Sequence, residues 1–362
     1  MPDVARLLSS PSEIFDELRR GVLGQDDALR EMSVALVKHL LGHPAGNILL
    51  IGNSGSGKTT IMKAVEAMFR SRPELAHYSN VVRINANVLA DAHEGYGRAV
   101  LKRLFANAEK TLGAQASLPE ILRWVERGIV FIDEVDKIRA SVGDTPNVRG
   151  IVAQEALLTL MENENLEFEV EAPLPATVAV NSSHILFVAG GAFEELYDAV
   201  YRRAVLGKDA APLKPTVTVS STGEMREELA FHLREYMRYE DLFLYGMSPQ
   251  FVSRFESIIV LNDLREEDLA QIFIEPEQSI FRLSREYFQR FDIDLQITRG
   301  AVRSIAWEAC RQKRLGARAL KEVYRRLVRK LEFDPAGAKG APAATGRRVV
   351  TIDEEWVKQV LK

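Results

Sequence analysis

The stretch Gly52-Asn53-Ser54-Gly55-Ser56-Gly57-Lys58-Thr59 limits the fold more than any other in this chain. It carries glycine, four residues, glycine, lysine and a hydroxyl residue in fixed order, directly after the apolar run Asn47-Ile48-Leu49-Leu50-Ile51. A buried strand, a glycine turn and a helix opening near Gly57 are expected in succession, which makes a phosphate-binding loop. Glycines let backbone N–H groups turn inward around a polyphosphate, and the helix that follows offers its positive end. Lys58 is placed to reach the terminal phosphates, Thr59 to ligate Mg2+, and Thr60 stands beside them. The ligand expected is therefore a nucleoside triphosphate.

A second landmark is Gly128-Ile129-Val130-Phe131-Ile132-Asp133-Glu134, a continuous apolar strand ending in two acids. Such a run suits a strand covered on both faces of a parallel sheet, and ligands of open α/β sheets gather at the strands' C-terminal ends. Of Asp133 and Glu134, one carboxylate can hold Mg2+ through its water shell and the other can orient an attacking water. Alone, an acidic pair after a strand is commonly a solvated turn. Downstream of a phosphate loop it reads as part of the same site.

The 362 residues allow two domains, and 46% hydrophobic content is enough for ordinary cores. A net charge of −4 gives no overall basic bias, so a nucleic-acid partner is not expected. One cysteine, Cys310, excludes an internal disulfide or a cysteine-based zinc site. With no apolar run near the ~18 residues of a membrane span, a cytoplasmic location is expected. The organisation expected is a leader helix in 1–21, a large α/β domain with helices on both faces of a parallel sheet in 22–263, and a smaller, mostly helical domain in 264–362. Further expectations are strands at Val81–Asn85 and His184–Ala189, the latter broken at Gly190-Gly191, and a helix from Glu224 to about Tyr239. Ile293–Ile297 and Val349–Ile352 alternate as in a small hairpin or sheet.

With these landmarks placed, the chain resembles the ClpX and HslU clade of AAA+ unfoldases from about Val22 onward. The likeness lies in Val22-Leu23-Gly24-Gln25, Asp133-Glu134-Val135-Asp136-Lys137-Ile138, Gln154-Glu155-Ala156-Leu157-Leu158 and Ile185 through Phe193. It continues in Ser248-Pro249-Gln250-Phe251-Val252-Ser253-Arg254-Phe255 and Leu315-Gly316-Ala317-Arg318-Ala319-Leu320. The resemblance implies a ring, expected to be a homo-hexamer, that hydrolyses ATP with Mg2+ to unfold or remodel a polypeptide. It gives Val22 and Leu23 the adenine pocket, and makes Arg254 an arginine finger completing the neighbouring subunit's site. Arg318 becomes a sensor that touches the nucleotide from the small domain. Tyr96, between Gly95 and Gly97, takes the place of the pore-loop aromatic that grips substrate. Without the flanking matches, Arg254 and Arg318 read as solvated cations and Tyr96 as a ring packed on its own domain.

The sequence departs from that clade at several places. The pore loop lacks the valine of Gly-Tyr-Val-Gly, and no Ile-Gly-Phe tripeptide occurs in 200–245, so docking of a ClpP-like peptidase is not expected. One cysteine leaves no zinc-binding N-terminal module in these residues. The second pore segment, 162–175, is acidic through Glu162, Glu164, Glu167, Glu169 and Glu171. The strand ending at Ala189 offers no polar first sensor. Two other functions stay open at this level: an ATPase that switches one dedicated partner, and a nucleic-acid motor or loader, which would need basic pore loops.

Overall fold

The computed structural model describes residues 10–43, 45–72, 75, 78–90, 98–113, 115–162, 165–170, 176–206, 215–219, 225–229, 231–312, 314–337, 341–342 and 347–361. The chain divides into two compact units. One holds Met1–Leu18, Asp27–Gly52 and Lys58–Leu261; the other holds Arg19–Asp26, Asn53–Gly57 and Asn262–Lys362.

In chain order the first unit carries β1 (Asn47–Ile51), β2 (Val81–Asn85), β3 (Ile129–Asp133) and the short arms β4 (Ser141–Val142) and β5 (Thr145–Pro146). The hairpin β6 (Leu166–Val170) and β7 (Ala176–Val180) follows, then β8 (Leu186–Gly191), β9 (Pro215–Val219), β10 (Met225–Leu229) and β11 (Phe255–Val260). Five of these form one sheet in the order β11-β1-β8-β3-β2, and every pairing in it is parallel. Sequence explains the arrangement. All six residues of β8 and the first four of β3 are buried, as apolar runs covered on both faces must be. Parallel neighbours need crossovers, which the helices Lys58–Ser71, Arg98–Leu112 and Val148–Glu162 supply. Their apolar faces, with Val65, Leu101, Leu104 and Leu157 fully buried, close the core.

In the second unit β12 (Ile293–Ile297), β13 (Ala341–Pro342) and β14 (Arg348–Ile352) make a sheet in the order β12-β14-β13. Its core gathers around Phe273, Phe288, Leu295, Ile305, Leu320 and Leu327. Phe273 meets Tyr324 edge-on at 5.1 Å, and the Tyr324 hydroxyl donates to Ser284 Oγ at 2.8 Å.

Of the two arrangements expected for Ile293–Ile297 and Val349–Ile352, the sheet is found and not the hairpin: β12 and β14 pair in parallel, and two long helices, Arg299–Cys310 and Ala317–Phe333, run between them in the chain and permit the crossover. Two other expectations are corrected. No single helix runs from Glu224 to Tyr239: Met225–Leu229 pairs antiparallel with Pro215–Val219, and among the described residues of that stretch only Leu233–Tyr236 is helical before Tyr239. Pairing with a neighbouring strand outweighs the local helix preference of that stretch. Gly190 and Gly191 do not break the strand before them; β8 continues through both, pairing with Leu50 and Ile51 of β1. Gly190 leaves room there for the Met62 side chain, whose Cε would stand 3.3 Å from an added Cβ. The pore-loop residues Gly95, Tyr96 and Gly97 lie outside the described residues, as do Glu164 and Glu171.

Candidate nucleotide site

The phosphate loop leaves the C-terminal end of β1. Gly52 N–H donates to Gly191 O at 3.3 Å, fastening the loop's start to the end of β8. Lys58, nearly buried, opens the helix Lys58–Ser71 and its Nζ donates to Gly52 O. Thr59 and Thr60 follow in the first turn. The loop fits a polyphosphate on its own evidence. Gly57 has φ +111°, a backbone state other residues rarely adopt, and the buried Ser56 Oγ has no hydrogen-bond partner among the described residues. The hydroxyl is available to a ligand oxygen.

Asp133 ends β3 on the same edge of the sheet, separated from β1 by β8 alone. Two strand spacings of about 4.8 Å therefore separate the acids from the loop's anchor, a span that a hydrated cation and a phosphate chain can bridge. Glu134 adopts φ 60°, ψ 35°, and its N–H is accepted by Asp133 Oδ1 at 3.0 Å. That left-handed turn takes Glu134 out of the strand's alternation and exposes it. Asn85, the last residue of β2, donates Nδ2 to Glu134 Oε2 at 2.7 Å and so sets the carboxylate's direction. Behind the pair, buried Asp136 accepts the Ala192 N–H at 3.2 Å, tying the acidic turn to the end of β8.

Gln154, 2% exposed, joins this turn to the arginine segment. Its Nε2 donates to Ile138 O at 2.7 Å and Gly246 O at 3.2 Å, and its Oε1 accepts Ser248 N–H at 2.9 Å. Ser248 then caps the short helix Pro249–Val252, its hydroxyl accepting from Phe251 N–H, and that helix delivers Arg254 to the surface. Arg254 lies beside a cavity of about 550 Å³ that His39, His43, His184, Asn47 and Ser253 also line. Burial pushes the His39 imidazole down to about 4 although its Nε2 bonds to Arg127 O at 3.1 Å. The register pairs Asn47 with Phe255 and Ile51 with Val260. Arg254 therefore sits at the N-terminal edge of the sheet, and the chain's own phosphate loop starts at the opposite edge.

In the second unit the middle of the loop meets the start of the helix Ala317–Phe333. Ala317 N–H donates to Gly55 O at 3.1 Å, and Arg318 Nη1 to Ser54 Oγ at 2.6 Å. The approach is backbone on backbone. A Cβ on Gly55 would stand 2.3 Å from Leu315 O, and one on Gly316 2.8 Å from the Gly55 backbone, so only glycine fits at either position. Asn53 Nδ2 donates to Asp263 Oδ1 at 2.9 Å. Val22 is buried, Leu23 half-buried, and Gln25 wholly buried in the same unit.

A family model described as AAA domain (Cdc48 subfamily) matches residues 43–258. This chain belongs to that family. It is an AAA ATPase and a distant homologue of ClpX along nearly its whole length. The ATP-dependent Clp protease ATP-binding subunit ClpX of Bacteroides thetaiotaomicron is 30% identical over 353 residues, covering 90% of this chain and 77% of the relative. That of Borrelia duttonii is 29% identical over 356 residues, covering 92% and 76%. That of Treponema denticola is 26% identical over 373 residues, covering 98% and 83%.

Within this AAA ATPase the structure brings Lys58, Thr59, Asp133 and Glu134 to one sheet edge and sets Arg318 against Ser54. It holds Arg254 at the other edge of that sheet, apart from Lys58, Thr59, Asp133 and Glu134. Asn85 was missed by sequence reasoning as a partner of Glu134; its place at the C-terminal end of a strand paired with β3 was the available signal. Gln25 and Gln154 were visible only as letters in shared segments. Among the described residues no helix is long and apolar enough to cross a membrane, and no cluster of three His, Cys, Asp or Glu could hold a metal ion by itself.

Proposed function

We propose that this AAA ATPase assembles as a ring, on the family's pattern a hexamer, and uses ATP hydrolysis to unfold or remodel a polypeptide. One observation carries the reading: Arg254 lies at the edge of the sheet opposite to its own phosphate loop. With strands rising about 3.3 Å per residue, the six positions from the level of Arg254 to Gly52 span roughly 20 Å. That is far more than an arginine side chain covers, so its partner phosphate belongs to another copy.

In this reading the loop's N–H groups and Lys58 hold the phosphates, and Val22 and Leu23 line the adenine pocket. Mg2+ bound by Thr59, Asp133 and phosphate oxygens would neutralise charge on the transferring group. Glu134, directed by Asn85, orients water, and Arg254 of the neighbouring copy offsets the charge that develops. Arg318 exchanges its bond to Ser54 for the nucleotide. The substrate is read as polypeptide from the ClpX relatives and from Glu167 and Glu169, both exposed on β6, which present a negative surface unsuited to nucleic acid. Tyr96 is assigned the substrate grip, and a ClpP-like peptidase is not required for the activity.

Sedimentation with Mg2+ and ATP tests the assembly, which should appear as one ring-sized species. A protein that stays monomeric and hydrolyses ATP equally fast per molecule on dilution refutes it. Capture of polypeptides by the Glu134→Gln form held with ATP tests the substrate class.

A further inference from the structure

We infer that Gln25 is a positioning residue of the nucleotide site, holding the peptide between Ser56 and Gly57 so that the Gly57 N–H faces the phosphates. The inference rests on the phosphate-loop reading above and adds to it a residue with no ligand contact of its own.

Gln25 is 0% exposed, and each end of its amide has a partner. Nε2 donates to Ser56 O and to Asn262 O, both at 2.9 Å, while Oε1 accepts Asn262 N–H at 2.9 Å. Asn262 therefore decides which end of the amide is which. Its N–H demands the oxygen, and its carbonyl together with that of Ser56 demands the nitrogen. The side chain has one orientation that satisfies all three groups.

A trans peptide is planar, and its C=O and N–H point in opposite directions. With the Ser56 carbonyl fixed on Gln25, the Gly57 N–H must point away from Gln25. Gly57 has no Cβ and stands at φ +111°, where glycine lets the preceding peptide plane rotate freely. If the plane turned over, a carbonyl oxygen would replace an N–H in the ring of donors that receives the polyphosphate. An anion site would then present partial negative charge to an anion.

Two substitutions in the full chain test this, read by fluorescence titration with N-methylanthraniloyl ATP and ADP. Gln25→Leu keeps the volume and removes every polar contact; affinity for both nucleotides should fall about tenfold or more. Gln25→Glu can still accept from Asn262 but cannot donate to Ser56 while ionised. Buried against two carbonyl oxygens, its carboxyl has a raised pKa and regains an O–H donor as pH falls. Its affinity relative to the unsubstituted protein should therefore be weak at pH 8 and recover severalfold by pH 6 while its circular dichroism stays constant; a purely structural role would change both together.

Gln25→Leu within twofold of the unsubstituted protein, or Gln25→Glu without recovery on acidification, overturns the inference. Should Gln25→Leu fail to fold by circular dichroism, the acid-dependent recovery decides alone. If the unsubstituted protein binds neither nucleotide, the phosphate-loop reading falls and the inference falls with it.

Discussion

Mixing two inactive forms gives the sharpest test of where Arg254 acts. Arg254→Ala keeps a complete phosphate loop, Asp133 and Glu134 but lacks the guanidinium; Glu134→Gln keeps Arg254 but lacks the carboxylate. Each homogeneous form should lose about 10³-fold or more in turnover, the range for a trans-acting arginine on a phosphoryl group. Arg254 is at one edge of the sheet and the phosphate loop at the other, so the two defects in one ring fall on different interfaces. With random 1:1 assembly, about one interface in four pairs an intact Glu134 with an intact Arg254 from its neighbour, since closed rings repeat one head-to-tail contact. Steady-state phosphate release from the mixture should then reach about a quarter of the unsubstituted rate, and fall again when either form is in excess. The assay is a titration of one variant into the other at fixed total concentration with Mg2+ and ATP. A mixture whose rate equals the sum of its parents, under conditions where light scattering shows co-assembly, refutes an arginine acting across the interface.

The other predictions concern the supports of the site. His39 is 6% exposed, and its imidazole is held near 4 mainly by burial, against an ordinary value of 6.5. A base with a depressed folded pKa stays neutral in the native state while the unfolded chain takes up the proton. Its stabilising share is therefore complete above pH 6.5 and is lost as pH falls towards 4, amounting to about 2 kcal/mol between pH 7 and pH 5. Urea unfolding of His39→Leu should show a correspondingly shallower loss over that interval; an unchanged pH dependence would remove His39 from the account. Gln154→Leu strips partners from Ile138 O and Ser248 N–H, while Gly246 O keeps the Ala140 N–H at 2.7 Å. Two orphaned groups in a buried place should lower stability by about 2–4 kcal/mol, and a measured loss below about 1 kcal/mol would show that the junction reforms without the amide.

The parts of this molecule that could be read from sequence are those whose physics is local. An apolar run followed by glycines, lysine and threonine specifies strand, turn and helix within a dozen residues, and Ile129–Asp133 announces a covered strand by composition alone. Register and contact between distant residues have no such signature. Asn85 and Glu134 are separated by 48 intervening residues and meet because β2 pairs with β3 in parallel, level from Val81 with Ile129 to Asn85 with Asp133. Gln25 and Gln154 satisfy backbone groups far along the chain, and an amide in an amphipathic sequence looks like any other polar residue. The segment 224–239 misled because helix preference is a weak prior and strand pairing is settled by a partner outside the window. The parallel arrangement of β12 and β14 likewise depends on the helices that separate them.

The close seating of Gly316 on Gly55 has a mechanical meaning. Side chains yield by changing rotamer, but two main chains in contact leave no soft layer between the loop and the helix that starts there. The helix Ala317–Phe333 has 17 residues and so extends about 25 Å from that fulcrum. A tilt of about 10° at Gly55, too small to break a hydrogen bond, would sweep Phe333 through about 4 Å. The nucleotide loop thus holds the short arm of a rigid lever, and the far end of the helix is where a small local adjustment becomes a displacement large enough to be felt.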